Sequence, residues 1–155
     1  MSKPVNVHGT GLVLGDSGVL LRGPSGAGKS VLALALLDRW EMRGQTALLV
    51  SDDRVDLRES AAGLTMVAPP SLAGMIELRG RGIIHRRHAE AARLDLVIDL
   101  VPDLIRLVEE DDLQTEIMGH LLPRAPVPVG GVVSLGHQLL LVAEAVRASL
   151  DLTEP

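Results

Sequence analysis

One glycine-rich run has the residue types and spacing to bind a nucleoside triphosphate. Residues 23–30, GPSGAGKS, match G-x-x-x-x-G-K-[ST] at every fixed position. In such a P-loop, glycines let successive backbone N–H groups point at phosphate oxygens, and the following helix N-terminus adds a positive dipole. Lys29 is expected to reach the terminal phosphates and Ser30 to bind Mg²⁺. The predicted nucleotide-binding residues are Gly23, Pro24, Ser25, Gly26, Ala27, Gly28, Lys29 and Ser30.

Two adjacent carboxylates follow the next apolar run of the chain. Thr46 to Val50 has strand length and predicts a strand buried on both faces of a sheet, and Asp52 and Asp53 come at its end. Parallel α/β sheets place ligand-facing groups there, so one aspartate is expected to hold magnesium and the other to serve proton chemistry. A kinase would use one of these carboxylates to accept the proton of a substrate hydroxyl, whereas an ATPase would use the pair to orient water. Simple exposure at a strand end is the alternative.

A third group of candidate residues lies in ELRGRGI, residues 77–83. Glu77 and Arg79 are two residues apart and therefore share one side of an extended segment. Glu77 is a candidate metal ligand and Arg79 a candidate for stabilising phosphate charge; a surface ion pair beside a turn is the alternative. His8 is either functional or an ordinary surface or core histidine, and no histidine belongs to a zinc-binding pattern.

The elements around these residues alternate between strands and helices. Thr10 to Leu14 and Val19 to Arg22 predict a hairpin around residues 15–18, and Lys29 to about Arg43 predicts a helix that ends before Gly44. The pattern predicts an α/β fold, a P-loop-containing sheet with flanking helices. Further predictions are a hairpin of Val55–Arg58 and Leu64–Ala68, a strand at Leu94–Leu100, a loop or short helix at 109–116 and an extended or edge strand at Pro123–Val129. The last predicted element is a helix at Val132–Leu150 with Leu139, Val142, Ala143 and Val146 on one face.

Composition limits the classes of partner. A chain of 155 residues with 46% hydrophobic content predicts one domain, residues 1–155, with one substantial core. Acidic residues outnumber basic ones 20 to 15, and Trp40 is the only aromatic residue, so neither nucleic acid nor an anionic membrane is an expected partner. The sequence has no cysteine and no apolar run of the roughly 20 residues that a membrane span needs, which favours a cytoplasmic protein.

Four motifs, taken in order, resemble one known family. HGTG at 8–11, GPSGAGKS at 23–30, LLVSDDRVDL at 48–57 and APPSLAGMIELRGRGIIH at 68–85 resemble the catalytic domain of bacterial HPr kinase/phosphorylase. The resemblance implies a P-loop kinase that uses ATP and Mg²⁺ to phosphorylate a serine of HPr, the phosphocarrier protein of the sugar phosphotransferase system. Some family members also reverse the reaction with inorganic phosphate. A homo-oligomer is implied as well.

The resemblance also implies a role for each candidate residue. Asp52 would be the general base or acid at the substrate serine, and Asp53 the neighbouring carboxylate associated with the metal. Glu77 would be a further metal ligand, and Arg79 would stabilise phosphate charge. His8 matches the histidine that the family places near the catalytic aspartate.

Three departures separate this sequence from the family pattern. Only a few residues precede His8, so a form with the catalytic domain alone is expected. Residues 85–93, HRRHAEAAR, are shorter than the family's glycine-rich stretch, and Gly136-His137-Gln138 stands in place of Gly-Arg-Asn, which removes an arginine. Phosphorolysis is therefore left open. The alternatives are another small-molecule or protein kinase with a P-loop and a non-catalytic, ATP-binding regulatory sensor.

Overall fold

A computed structural model describes residues 3–153, which form a mixed α/β fold with two α-helices. The helices are α1 (Lys29–Met42) and α2 (Leu135–Thr153), and short 3-10 turns occur at Pro70–Leu72 and Glu110–Leu113. The strands are β1 (Val5–His8), β2 (Thr10–Leu14), β3 (Ser17–Arg22), β4 (Ala47–Ser51), β5 (Arg54–Ser60), β6 (Gly63–Val67), β7 (Met75–Leu78), β8 (Gly82–His85), β9 (Ala91–Arg93), β10 (Leu96–Val101), β11 (Gln114–Ile117) and β12 (His120–Pro128).

The fold has three layers around a central six-stranded sheet with the order β11-β12-β10-β3-β2-β4. Both helices pack on one face of this sheet, where they cover Leu21 and Ile98. The other face packs against a second sheet, β1-β5-β6-β9, and there Leu20 and Val97 share a buried apolar cluster with Val55. Because neighbouring side chains of a strand point to opposite faces, covering both faces requires continuous apolar runs.

Strand direction brings two important chain segments to the same edge of the sheet. β2 lies between β3 and β4 and is antiparallel to both, so β3 and β4 run in the same direction. The loop after β3, which begins at Gly23, and the aspartates after β4 therefore lie at one edge. The predicted strand at Thr46–Val50 is confirmed as β4, but it is an edge strand of the sheet beside an antiparallel neighbour.

The proline-containing segment Pro123–Val129 is extended as predicted, and beyond Pro123 it is also an edge on one side. β12 lies between β11 and β10, although β11 pairs only with residues 120–123. Beyond Pro123 one side of β12 has no strand partner. The Pro128 carbonyl points to that side and accepts a hydrogen bond from the Gln138 side chain. The N and C=O of a strand residue face the same side of the strand, so an N–H at Pro128 would point away from β10. Proline at this position therefore costs no hydrogen bond between β12 and β10.

The two helices agree closely with expectation. α1 ends at Met42, and Gly44 follows with a φ of 74°, a left-handed conformation that glycine adopts readily at the end of a helix. In α2 the predicted face of Leu139, Val142, Ala143 and Val146 is buried, although the helix begins at Leu135 rather than Val132. Within residues 3–153, neither helix combines the length and apolarity that crossing a membrane requires.

Candidate functional site

The glycine-rich loop connects β3 directly to α1, as the motif requires. Gly26 and Gly28 have φ values of 83° and 92°, which place both in the left-handed region that favours glycine. A Cβ on Gly23 would lie 3.0 Å from Cβ of Leu100 on the neighbouring strand. Positive φ explains two of the glycines, and close packing against β10 explains the third.

Lys29 begins α1, and its side chain folds back over the loop. Its Nζ donates to the carbonyl oxygens of Gly23 at 2.8 Å and Pro24 at 3.1 Å, and the residue is only 6% exposed. These contacts keep the ammonium group at the wall of a cavity of about 310 Å³. The residues lining that cavity are Ser25, Gly26, Gly28, Lys29, Ser30, Val31, Asp52, Asp53, Glu77 and Arg79. We call it the loop cavity.

Three elements fix the carboxylate of Asp52. Ser30 at the start of α1 and Thr10 at the start of β2 both donate through their hydroxyls to Oδ1 at 3.0 Å. The backbone N–H of Glu77 on β7 donates to Oδ2 at 3.2 Å. Both oxygens of Asp52 therefore have protein donors. Sequence reasoning missed Thr10, although it is the third residue of the HGTG motif and is completely buried.

Asp53 has a different environment because its backbone is in the left-handed conformation, with a φ of 67°. Two hydrogen bonds hold it there: Gly9 N–H donates to its carbonyl at 3.0 Å, and its own N–H donates to Oγ1 of Thr10 at 3.3 Å. His8 donates through Nε2 to Oδ1 of Asp53 at 2.6 Å. His8 thus pairs with Asp53, whereas Asp52 contacts Ser30 and Thr10.

Glu77 and Arg79 both line the loop cavity, so β7 and the turn after it bring them together with the glycine-rich loop. Both residues are exposed. No ion pair joins them among those found in residues 3–153. The surface ion pair considered as an alternative from the sequence is therefore not formed.

A second cavity of about 560 Å³ adjoins the same carboxylates. It shares Asp52, Asp53 and Glu77 with the loop cavity but contains no residue of the glycine-rich loop. We call it the outer cavity. The rest of its wall mixes apolar and polar groups from β1, β5, β7, β8 and the 3-10 turn, namely Asn6, Arg54, Asp56, Pro69, Ser71, Leu72, Met75, Ile76 and Ile83.

The oxygen atoms around the loop cavity suit a hard divalent cation. The Ser30 hydroxyl and the carboxylates of Asp52, Asp53 and Glu77 line it, and oxygen ligands are those that Mg²⁺ prefers. Within residues 3–153, no group of three or more His, Asp or Glu side chains is arranged to hold a metal by itself. These residues therefore fit a magnesium ion that takes most of its ligands from phosphates and water, the usual arrangement with nucleotides.

An ion cluster that the sequence did not predict lies at the base of the loop. Arg22, the last residue of β3, and Arg124 on β12 both donate to the carboxylate of Asp99 on β10. Burial alone would raise the pKa of Asp99, but the hydrogen bonds and charges of the two arginines outweigh it and hold this pKa below its ordinary value. The cluster connects the adjacent strands β3, β10 and β12, and Arg22 is the residue immediately before Gly23.

Comparison with known proteins confirms the resemblance seen in the motifs. The profile of the family described as HPr Serine kinase C-terminal domain matches residues 1–152. The HPr kinase/phosphorylase of Lacticaseibacillus casei strain BL23 is 33% identical over 147 residues, covering 90% of this chain and 44% of the relative. That of Caldicellulosiruptor bescii is 36% identical over 157 residues, covering 93% of this chain and 47% of the relative.

A solved structure shows the same fold. The Hpr(Ser) kinase/phosphatase from Coxiella burnetii superposes with a TM-score of 0.75 at 27% identity, covering 97% of this chain and 99% of that one. The chain spans less than half the length of the curated relatives described above.

Proposed function

The chain belongs to the HPr Serine kinase C-terminal domain family, and from this we propose that it is an ATP-dependent serine kinase acting on an HPr-like phosphocarrier protein. Residues 1–155 would form a single P-loop kinase domain that works in the cytoplasm as a homo-oligomer. Family membership supports the reaction class, and the names of its relatives support the acceptor.

The observation that carries this proposal is the meeting of two cavities at one set of carboxylates. The loop cavity is lined by the glycine-rich loop and Lys29, which suit the phosphates of ATP. The outer cavity is lined by residues outside that loop. Asp52, Asp53 and Glu77 belong to both. A kinase needs this arrangement, because the acceptor hydroxyl must approach the γ-phosphate in line with the bond that breaks.

On the phosphate side, the loop N–H groups and Lys29 would bind the triphosphate, and Arg79 would meet the charge that develops during transfer. Ser30, Asp53 and Glu77 would hold Mg²⁺, which when bound neutralises phosphate charge and orients the γ-phosphoryl group. Their position around one cavity supports these roles.

On the acceptor side, we assign Asp52 as the group that takes the seryl proton, following the family resemblance. Its hydrogen bonds to Ser30, Thr10 and Glu77 give it a fixed orientation between the cavities. The contact between Asp53 and His8 supports a second arrangement, in which Asp53 takes the proton and Asp52, bonded to Ser30, acts on the metal side. Separate substitution of the two aspartates distinguishes the arrangements.

Transfer of label from [γ-³²P]ATP to purified HPr tests the proposed function. We expect magnesium-dependent labelling of HPr and no labelling of HPr in which the acceptor serine is replaced by alanine. Lys29→Ala should lose nucleotide affinity and transfer together, because the ammonium meets phosphates in both the bound and transition states.

The outcome also separates the alternatives. Normal ATP binding without transfer to HPr would indicate a regulatory sensor or a kinase with another acceptor, and labelling of a different substrate would identify the latter. Release of pyrophosphate from serine-phosphorylated HPr in the presence of inorganic phosphate would establish phosphorolysis.

A further inference from the structure

A third cavity, of about 570 Å³, adjoins the loop cavity and contains none of the carboxylates. It shares Gly26, Gly28 and Val31 with the loop cavity, so a molecule bound to the phosphate loop can extend into it. Its other wall is the segment 130–135 together with Gln138, and no charged side chain lines it. We call it the Gln138 cavity.

The walls of the Gln138 cavity present apolar surface to solvent. Val31 on α1 is 48% exposed, Val132 is 47% exposed and Leu135 at the start of α2 is 42% exposed. A flat heterocycle between them would cover this surface, and ligand sites generally combine such apolar walls with a few fixed polar groups.

Gln138 is the fixed polar group. It is only 5% exposed, and its Nε2 donates to the carbonyl oxygen of Pro128 at 2.8 Å. This contact determines the orientation of the amide, because turning it over would set Oε1 against the Pro128 oxygen, with two acceptors facing each other. Among the hydrogen bonds of residues 3–153, none involves Oε1 of Gln138, and Pro128 takes only one of the two Nε2 protons.

An amide held in this way offers an acceptor beside a donor. Adenine has the complementary edge, with an amino group that donates and an adjacent ring nitrogen that accepts, whereas guanine places a carbonyl oxygen where the amino group would be. We propose that the Gln138 cavity binds the base of the nucleotide and that Gln138 selects adenine over guanine. This inference rests on the proposed use of a nucleoside triphosphate and adds the base specificity, which the phosphate loop does not provide.

Isothermal titration calorimetry with Mg-ATP, Mg-GTP and Mg-tripolyphosphate tests the inference. The wild-type protein should bind ATP about tenfold or more tightly than GTP, the discrimination expected of one bidentate amide–base contact. In Gln138→Met, which keeps the length of the side chain but has no amide, the affinities for ATP and GTP should become about equal. The affinity for tripolyphosphate should be unchanged, whereas a merely structural role of Gln138 would lower it too.

Val132→Asn provides a second variant at an exposed position, where folding is not at risk. It should lower the affinities for ATP and GTP equally, by a few-fold, and leave the affinity for tripolyphosphate unchanged. Equal affinity of the wild-type protein for ATP and GTP, or a preference that survives in Gln138→Met, would overturn this inference alone. Failure of all three ligands to bind would overturn the proposed function and the inference with it.

Discussion

The hydroxyl of Ser30 donates a hydrogen bond of 3.0 Å to Oδ1 of Asp52, which connects the first turn of α1 to the end of β4. The strands that precede these two residues, β3 and β4, are separated by β2 in the sheet, yet the two side chains meet in the loop cavity. Asp52 therefore contacts the proposed metal ligand Ser30 and also lines the outer cavity.

Asp52→Asn should abolish proton acceptance with little change in side-chain size. Transfer to HPr should fall by about two to four orders of magnitude, the usual contribution of a general base, while Mg-ATP binding is retained. Single-turnover transfer and calorimetry measure the two effects. Asp53→Asn is the matched control and should mainly raise the magnesium requirement. The reverse pattern would assign proton acceptance to Asp53 with its partner His8.

His8→Ala should reduce transfer less than Asp52→Asn, because His8 contacts Asp53 and lines neither the loop cavity nor the outer cavity. The substitution removes the hydrogen bond to Oδ1 of Asp53, so single-turnover transfer should slow while Mg-ATP affinity is retained. His8→Gln is the control, since its side-chain amide can still donate to Asp53 and should preserve more of the transfer rate. A wild-type rate of transfer in both variants would exclude a role for His8 in the proton transfer.

Glu77→Ala should raise the magnesium concentration needed for half-maximal transfer, whereas Arg79→Ala should lower turnover with little effect on ATP affinity. The difference follows from their proposed partners, the metal and the charge of the transition state. Arg81→Ala is a suitable control, because Arg81 lies on the same turn but outside the lining of the loop cavity. Wild-type turnover of both variants across a magnesium titration would make ELRGRGI a structural turn only.

Asp99→Asn should lower the free energy of unfolding by about 2 kcal/mol at neutral pH, because Arg22 and Arg124 lose their shared carboxylate in a partly buried site. The pKa of Asp99 is held below its ordinary value of 3.8, so its ionised form is stabilised by folding. That contribution is complete above about pH 4 and is lost as the pH falls through the lowered pKa. The difference between wild type and variant should therefore shrink in acid.

Urea unfolding at several pH values measures this difference. Glu144→Gln is the control: Glu144 pairs with Arg147 on the exposed surface of α2, and its loss should change stability by no more than about 0.5 kcal/mol. A pH-independent difference at Asp99 would mean that packing, and not charge, explains the effect.

The sequence by itself determines the features that depend on neighbouring residues. GPSGAGKS predicts a strand–loop–helix junction because its glycines must adopt left-handed or closely packed conformations, and Gly26 and Gly28 do adopt positive φ. The buried face of α2 follows from the helical period, which places Leu139, Val142 and Val146 on one side. Hairpins with short turns, such as β2–β3 around Gly15, are equally local.

Only the tertiary structure decides which distant residues meet. Local patterns do not reveal that β2 lies between β3 and β4, or that β12 is covered by β11 for only part of its length, because strand order depends on how whole layers pack. Adjacent aspartates likewise look alike in sequence. The positive φ of Asp53, held by contacts to Gly9 and Thr10, turns Asp53 toward His8, while Asp52 keeps its contact with Ser30. Two consecutive carboxylates therefore have different partners because the backbone conformation between them is set by residues more than forty positions away.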